Sequence, residues 1–183
     1  MSFESDNFAA QLMEEAKRFL EIAKESDSGT TPEQLQANLH AALFLGFSAL
    51  EAQLNAVSEE LLLRSDLSIL DRSILAEMEF RLKNGEWDLT STQRFYRLDD
   101  RIAFIFKRFT SDNPKTMPWW SPLSDAIKKR NSLVHPRDVV DASANDIERA
   151  LRAAIDAIDA IYRGVFGAGY PPQKRGLHST MTF

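Results

Sequence analysis

TPEQLQANLHAALFLGFSALEAQLNAVSEELLLR, residues 31–64, is the stretch on which the fold turns. It opens as a helix opens. Thr31 stands at the N-cap, Pro32 occupies the first helical position, where a missing amide hydrogen costs nothing, and Gln34 completes a capping box with the threonine. Behind this start Leu35, Leu39, Leu43, Gly46, Leu50, Leu54, Val57 and Leu61 recur at three- and four-residue steps, which is one apolar stripe of a helix. At 1.5 Å per residue such a helix runs roughly 50 Å, long enough to be the spine of a bundle.

Outward from the spine the helical signals continue. A first helix is expected over about residues 5–25, with Phe8, Leu12, Ala16, Phe19 and Ala23 inward, ending in SDSGT. A third is expected from Asp66, with Leu67, Leu70, Ile74, Met78 and Leu82 inward and Asn84-Gly85 as its stop. The fourth, about residues 91–109, uses Phe95, Leu98, Ile102, Ile105 and Phe109, with Arg94, Arg97, Arg101, Lys107 and Arg108 mostly on its other faces. Ser121-Pro122 opens a fifth, and either Ser143 with Asp146 or Asn145 with Glu148 caps a last one striped by Ile147, Leu151, Ile155, Ile158, Tyr162 and Val165. No segment shows convincing two-residue alternation bounded by turns, so no sheet is expected. The fold expected is all-α, an up-down bundle of about five to six helices. Residues 1–167 form one domain, and the aperiodic 168–183 is a loose tail or a partner-binding strap.

Composition agrees with one globular domain: 183 residues, 44% apolar and 10% aromatic, with a net charge of −5. The absence of cysteine excludes disulfides, thiolate nucleophiles and thiolate metal sites, and fits a reducing, cytoplasmic setting. The N-terminus starts acidic without an apolar core segment, so neither a signal peptide nor a membrane partner is expected. Charge is unevenly distributed: −10 over residues 1–90, +6 over 91–137 and −1 over 138–183. A basic face of that kind attracts a polyanion whatever the net charge.

The basic region ends in KKRNSLVHPRD, residues 128–138. Pro136 disfavours helical angles at the residue before it, so the fifth helix should stop near Val134 and leave His135 at its C-terminus. An imidazole there can exchange a proton near neutral pH, as general acid/base chemistry requires. Arg130 lies five residues earlier, about 140° away on an ideal helix, so the two share a site only if His135 peels off or a second chain supplies one of them. Asn131 shares a face with His135 and can orient the ring or a substrate oxygen. A fixed guanidinium, an amide and an imidazole suit a phosphodiester, and RNA brings its own nucleophile, the 2′-hydroxyl. No metal or other cofactor is then needed, and none is expected: His40 and His178 stand apart, and no glycine-rich phosphate loop or nucleophile elbow occurs. The same residues also read as an ordinary helix terminator.

KKRNSLVHP resembles the Arg-Asn-x-x-x-His signature of HEPN-domain proteins, and LFLGFSALEAQLNAVSEELL is similar to their long early helix with its embedded glutamate and asparagine. The resemblance covers these two helices and does not extend over Ser65 to Pro118. It implies a helical bundle that forms a homodimer, joins two motifs in one cleft, and in many members acts as a metal-independent endoribonuclease. By that resemblance Arg130 and His135 would be catalytic and Asn131 would assist; Lys128, Lys129 and Arg137, in the basic stretch around them, are expected to bind the RNA. The family context is toxin or antiviral defence, with an antitoxin protein as regulator. Inactive RNA-binding, nucleotide-binding or assembling modules also occur in that family.

Glu51 and Asn55 continue a second row beside the leucine stripe, after His40, Phe44 and Phe47. An acid on a mostly apolar face suggests a cationic neighbour, and Arg130 or His135 is the natural candidate; otherwise Glu51 is a surface residue. Trp119-Trp120 read as a plug for a core or interface rather than as a stacking platform for bases.

Overall fold

The computed structural model describes residues 3–25, 29–135 and 141–183. In it the chain is an all-α helical bundle with one small hairpin added. The order is α1 (Phe3–Glu25), α2 (Pro32–Leu62), α3 (Ile69–Ala76), β1 (Met78–Lys83), β2 (Glu86–Gln93), α4 (Leu98–Thr110), α5 (Trp120–Val134) and α6 (Ala144–Phe166). No helix among the described residues is long and apolar enough to cross a membrane.

The spine forms as its sequence dictates. Thr31 Oγ1 accepts the Gln34 amide at 3.2 Å while the Gln34 side chain accepts the Thr31 amide at 3.0 Å, so two of the orphan donors at the helix start are satisfied. Leu39, Leu43, Gly46, Leu50, Leu54, Val57 and Leu61 are all buried. α1 packs along α2 through Ala9, Met13, Ala16, Leu20 and Ala23, a stripe turned from the expected one, so that Phe8 stands 56% exposed. α6 fills the middle: it touches α1, α2, α4 and α5 and buries residues on several faces, among them Ile147, Leu151, Ile155, Ala157 and Ile161. Ser143 is its N-cap, accepting from the Asp146 amide at 3.2 Å, and Gly167 closes it with φ +68°.

Residues 66–97 depart from expectation. α3 is two turns long, capped by Ser68 with Asp71, and it ends where Glu77 takes left-handed angles, φ 51° and ψ 46°. Met78–Lys83 then pairs antiparallel with Glu86–Gln93, with Leu82 opposite Trp87 and a bulge between Met78 and Phe80. Asn84 and Gly85 have φ 55° and 89°, the left-handed pair that a two-residue hairpin turn requires, so these residues turn a hairpin and do not stop a helix. Leu70 and Leu82, expected inward, are exposed. The fourth helix begins at Leu98 because Ser91–Gln93 are used by β2, and Phe95, also expected inward, is 79% exposed in the link between them.

The stretch expected to be loose, 168–183, lies on the bundle. Tyr170 is buried and donates its amide to Asp159 Oδ1 at 2.8 Å, and its ring sits 5.1 Å from Tyr162. Ser179 Oγ donates to the Glu14 carbonyl at 2.8 Å, and the Thr180 amide donates to Glu14 Oε2 at 2.7 Å. Polar residues can hold a chain to a helix when carboxylates and carbonyls await them, which hydrophobic periodicity does not report. Trp119 is the expected plug, 6% exposed and edge-on to Phe106 at 5.4 Å.

Candidate functional site

A side chain of α5 reaches one of α2 where Arg130 meets Glu51. The Arg130 Nη2 donates to Glu51 Oε1 at 3.1 Å, and its Nη1 donates to Asn131 Oδ1 at 3.2 Å. Both members of the ion pair are about a third exposed, so water screens the pair and its contribution to stability is at most about 1 kcal/mol. Its effect is geometric: the arginine head is held at the edge of a cavity of about 440 Å³ that Asn55, Asn131 and Arg101 also line.

Arg101 is the best buried charge of the site. It projects from the first turn of α4 with 5% of its surface exposed, donating to Glu77 Oε2 at 2.8 Å and to Asn55 Oδ1 at 3.0 Å. Burial lowers its affinity for the proton, partly offset by the carboxylates of Glu77 and Glu51. Glu77 can reach it because the left-handed turn at that residue ends α3 and starts the hairpin. The same residue's carbonyl accepts the Arg94 amide at 2.8 Å, closing the base of the hairpin. The hairpin therefore anchors the carboxylate that neutralises the guanidinium.

Glu51, Asn55, Arg130 and Asn131 are thus brought to one cavity. His135 is not among its lining residues. It is exposed at the end of α5, with φ −124° and ψ 65°, and its amide donates to the Asn131 carbonyl at 3.0 Å. The helix ends at Val134, as expected from the proline; Pro136 and Arg137 lie outside the described residues. Lys128 pairs with Asp125 at 3.0 Å on the surface. Lys129 turns toward α6 and pairs with Asp146 at 2.8 Å, in a separate groove. Hydrogen bonds from Lys129, Ser143 and Arg149 hold the Asp146 carboxyl well below the ordinary aspartate range.

Sequence reasoning missed Arg101, Glu77 and Phe95 as residues of this site. Arg101 was expected on the outer faces of the fourth helix, yet it stands one position before the buried Ile102. The signal that could have found Glu77 was Asn84-Gly85, since a hairpin there places a helix end just before Met78. In comparisons with known proteins, no family model, curated protein or solved structure matches the chain.

Proposed function

We propose that this chain is a metal-independent endoribonuclease of the HEPN type, a homodimer that cleaves RNA at a cleft composed from two copies of α5. The observation that carries the reading is the Glu51–Arg130 pair, which presents a guanidinium at a cavity mouth within the same helix that ends in an exposed His135. Arg130 would bind the non-bridging oxygens of a phosphodiester as their charge builds, and Asn131 would steady that guanidinium and a substrate oxygen. An imidazole takes the proton from the 2′-hydroxyl, whose oxygen forms the new bond to phosphorus. The bond to the 5′-oxygen breaks, that oxygen receives a proton, and the products are a 2′,3′-cyclic phosphate and a 5′-hydroxyl. His135 does not line the cavity that holds Arg130, so in this reading a second copy brings the imidazole of one chain to the guanidinium of the other. Glu51 holds the arginine in place. As a toxin or defence ribonuclease, the chain would take an antitoxin as its regulatory partner.

A second reading is favoured by the same contacts: Arg130 is already engaged by Glu51 and Asn131, as in a catalytically inactive RNA- or nucleotide-binding or protein-interaction module. Cleavage of RNA by the purified chain in excess chelator separates the two. The ribonuclease reading expects Arg130→Ala and His135→Ala each to lower the rate by about 100-fold or more while the dimer persists. Undiminished cleavage in either variant removes that residue from the chemistry, and an inert wild type leaves the binding module.

A further inference from the structure

The cavity beside Arg130 is balanced in charge. Arg97, Arg101 and Arg130 face it, and each is already paired: Arg97 with Asp99 at 2.9 Å, Arg101 with Glu77 at 2.8 Å, Arg130 with Glu51 at 3.1 Å. A phosphate entering there would meet three carboxylates as well as three guanidiniums, so the cavity offers an anion little net field. It offers a neutral heterocycle much more. Asn55 and Asn131 each spend their amide oxygen on an arginine, which leaves each NH2 group to donate. Glu51 has a second carboxylate oxygen to accept, beyond the one Arg130 uses. Phe47, Leu98 and Ile127 supply apolar wall.

Phe95 adds an aromatic surface to this set. It lines the cavity and yet is 79% exposed, so its ring lies at the opening with most of its surface in water. A volume of about 440 Å³ is within the range of sites that take a small organic ligand. An exposed aromatic face, two amide donors, a carboxylate acceptor and no net charge together match a base better than its phosphate.

We propose that this cavity is a nucleobase subsite: one base enters, stacks on Phe95 and is read along its edge by Asn55, Asn131 and Glu51, while its phosphate remains outside. The identification of the ligand as an RNA nucleotide rests on the ribonuclease reading, but the binding can be measured without cleavage. The full chain is titrated with adenosine, guanosine, cytidine and uridine, and separately with inorganic phosphate, by calorimetry. At least one nucleoside saturates the protein with an affinity that changes little with salt, and inorganic phosphate does not compete with it. Phe95→Ala weakens that nucleoside by about tenfold, and Phe95→Tyr, which keeps the ring, restores it. The subsite is overturned if no nucleoside saturates at concentrations on the order of 10 mM, if phosphate displaces the nucleoside, or if Phe95→Ala binds as the wild type does. RNA cleavage without nucleoside binding removes the subsite and keeps the ribonuclease. Nucleoside binding dependent on Phe95, in a chain that never cleaves RNA, keeps the subsite and removes the ribonuclease.

Discussion

Lys17 is fully buried on α1, and its ammonium lies 2.9 Å from the carboxylate of Glu14, one turn earlier. Burial pushes the Glu14 carboxyl up, but the Lys17 ammonium and the amide and hydroxyl of Thr180 outweigh it and hold the group below the ordinary glutamate value of 4.5. Removing the acid leaves a buried cation without this counter-charge, a loss of about 3 kcal/mol. Glu14→Ala should therefore lower the urea midpoint sharply, and Glu14→Gln, which retains acceptor and volume, should lower it less. The pH dependence has a definite sign. Because the folded-state value lies below the unfolded one, this stabilisation is complete above about pH 4.5 and is lost as pH falls through the folded value. Stability measured from pH 6 down to about pH 3 should thus fall less steeply in Glu14→Gln than in wild type. An equal slope in both would remove Glu14 from the acid limb. Arg101 on α4 is a second buried cation, and Glu77, Asn55 and Ser58 surround its guanidinium.

At the scale of elements, the hairpin β1–β2 shows how two periodicities compete. Leu70, Ile74, Met78 and Leu82 fit a four-residue repeat, while Met78, Phe80 and Leu82 fit a two-residue one. Asn84-Gly85 decides between them, because both residues take positive φ and join strands whose Leu82 and Trp87 lie opposite each other. Gly85→Ala puts a side chain at φ +89° and should cost about 1 kcal/mol or more. Open space surrounds that position, so the cost is backbone strain and not a clash. Hydrogen exchange is the measurement that localises it: amides of Arg81 to Asp88 should exchange faster in the variant while those of α2 hold. Uniform acceleration over the whole chain would contradict a local role for the turn.

The whole molecule is organised by the closeness of α2 and α6. A Cβ at Gly46 would overlap the Leu151 side chain, which is 1% exposed and enclosed by the core. Gly46 thus lets Leu151 nest against the spine, and α6 in turn reaches α4 and α5. Gly46→Val should destabilise the fold by about 1–3 kcal/mol through overpacking. The pairing of Gln53 with the Tyr162 hydroxyl across the same helices should be disturbed as well. Thermal unfolding tests this, and a Tm equal to that of the wild type would show that Leu151 has room to move.

The start and stripe of the spine were legible by themselves, because caps and apolar stripes are local: Thr31 with Gln34 and the leucines of α2 are read within a few turns of chain, and Ser143 with Asp146 was one of two starts open for α6. So was the presence of Arg130 and Asn131 near a helix end, and of an acid at Glu51 in want of a cation. Packing alone decided which groups share a cavity. Glu77, Arg101 and Asn55 lie far apart in sequence, and periodicity states which face of a helix is apolar but not which face of another helix it will meet. For the same reason spacing could place His135 at the end of α5 without saying which way it faces, and only the folded chain set it apart from the cavity that holds Arg130.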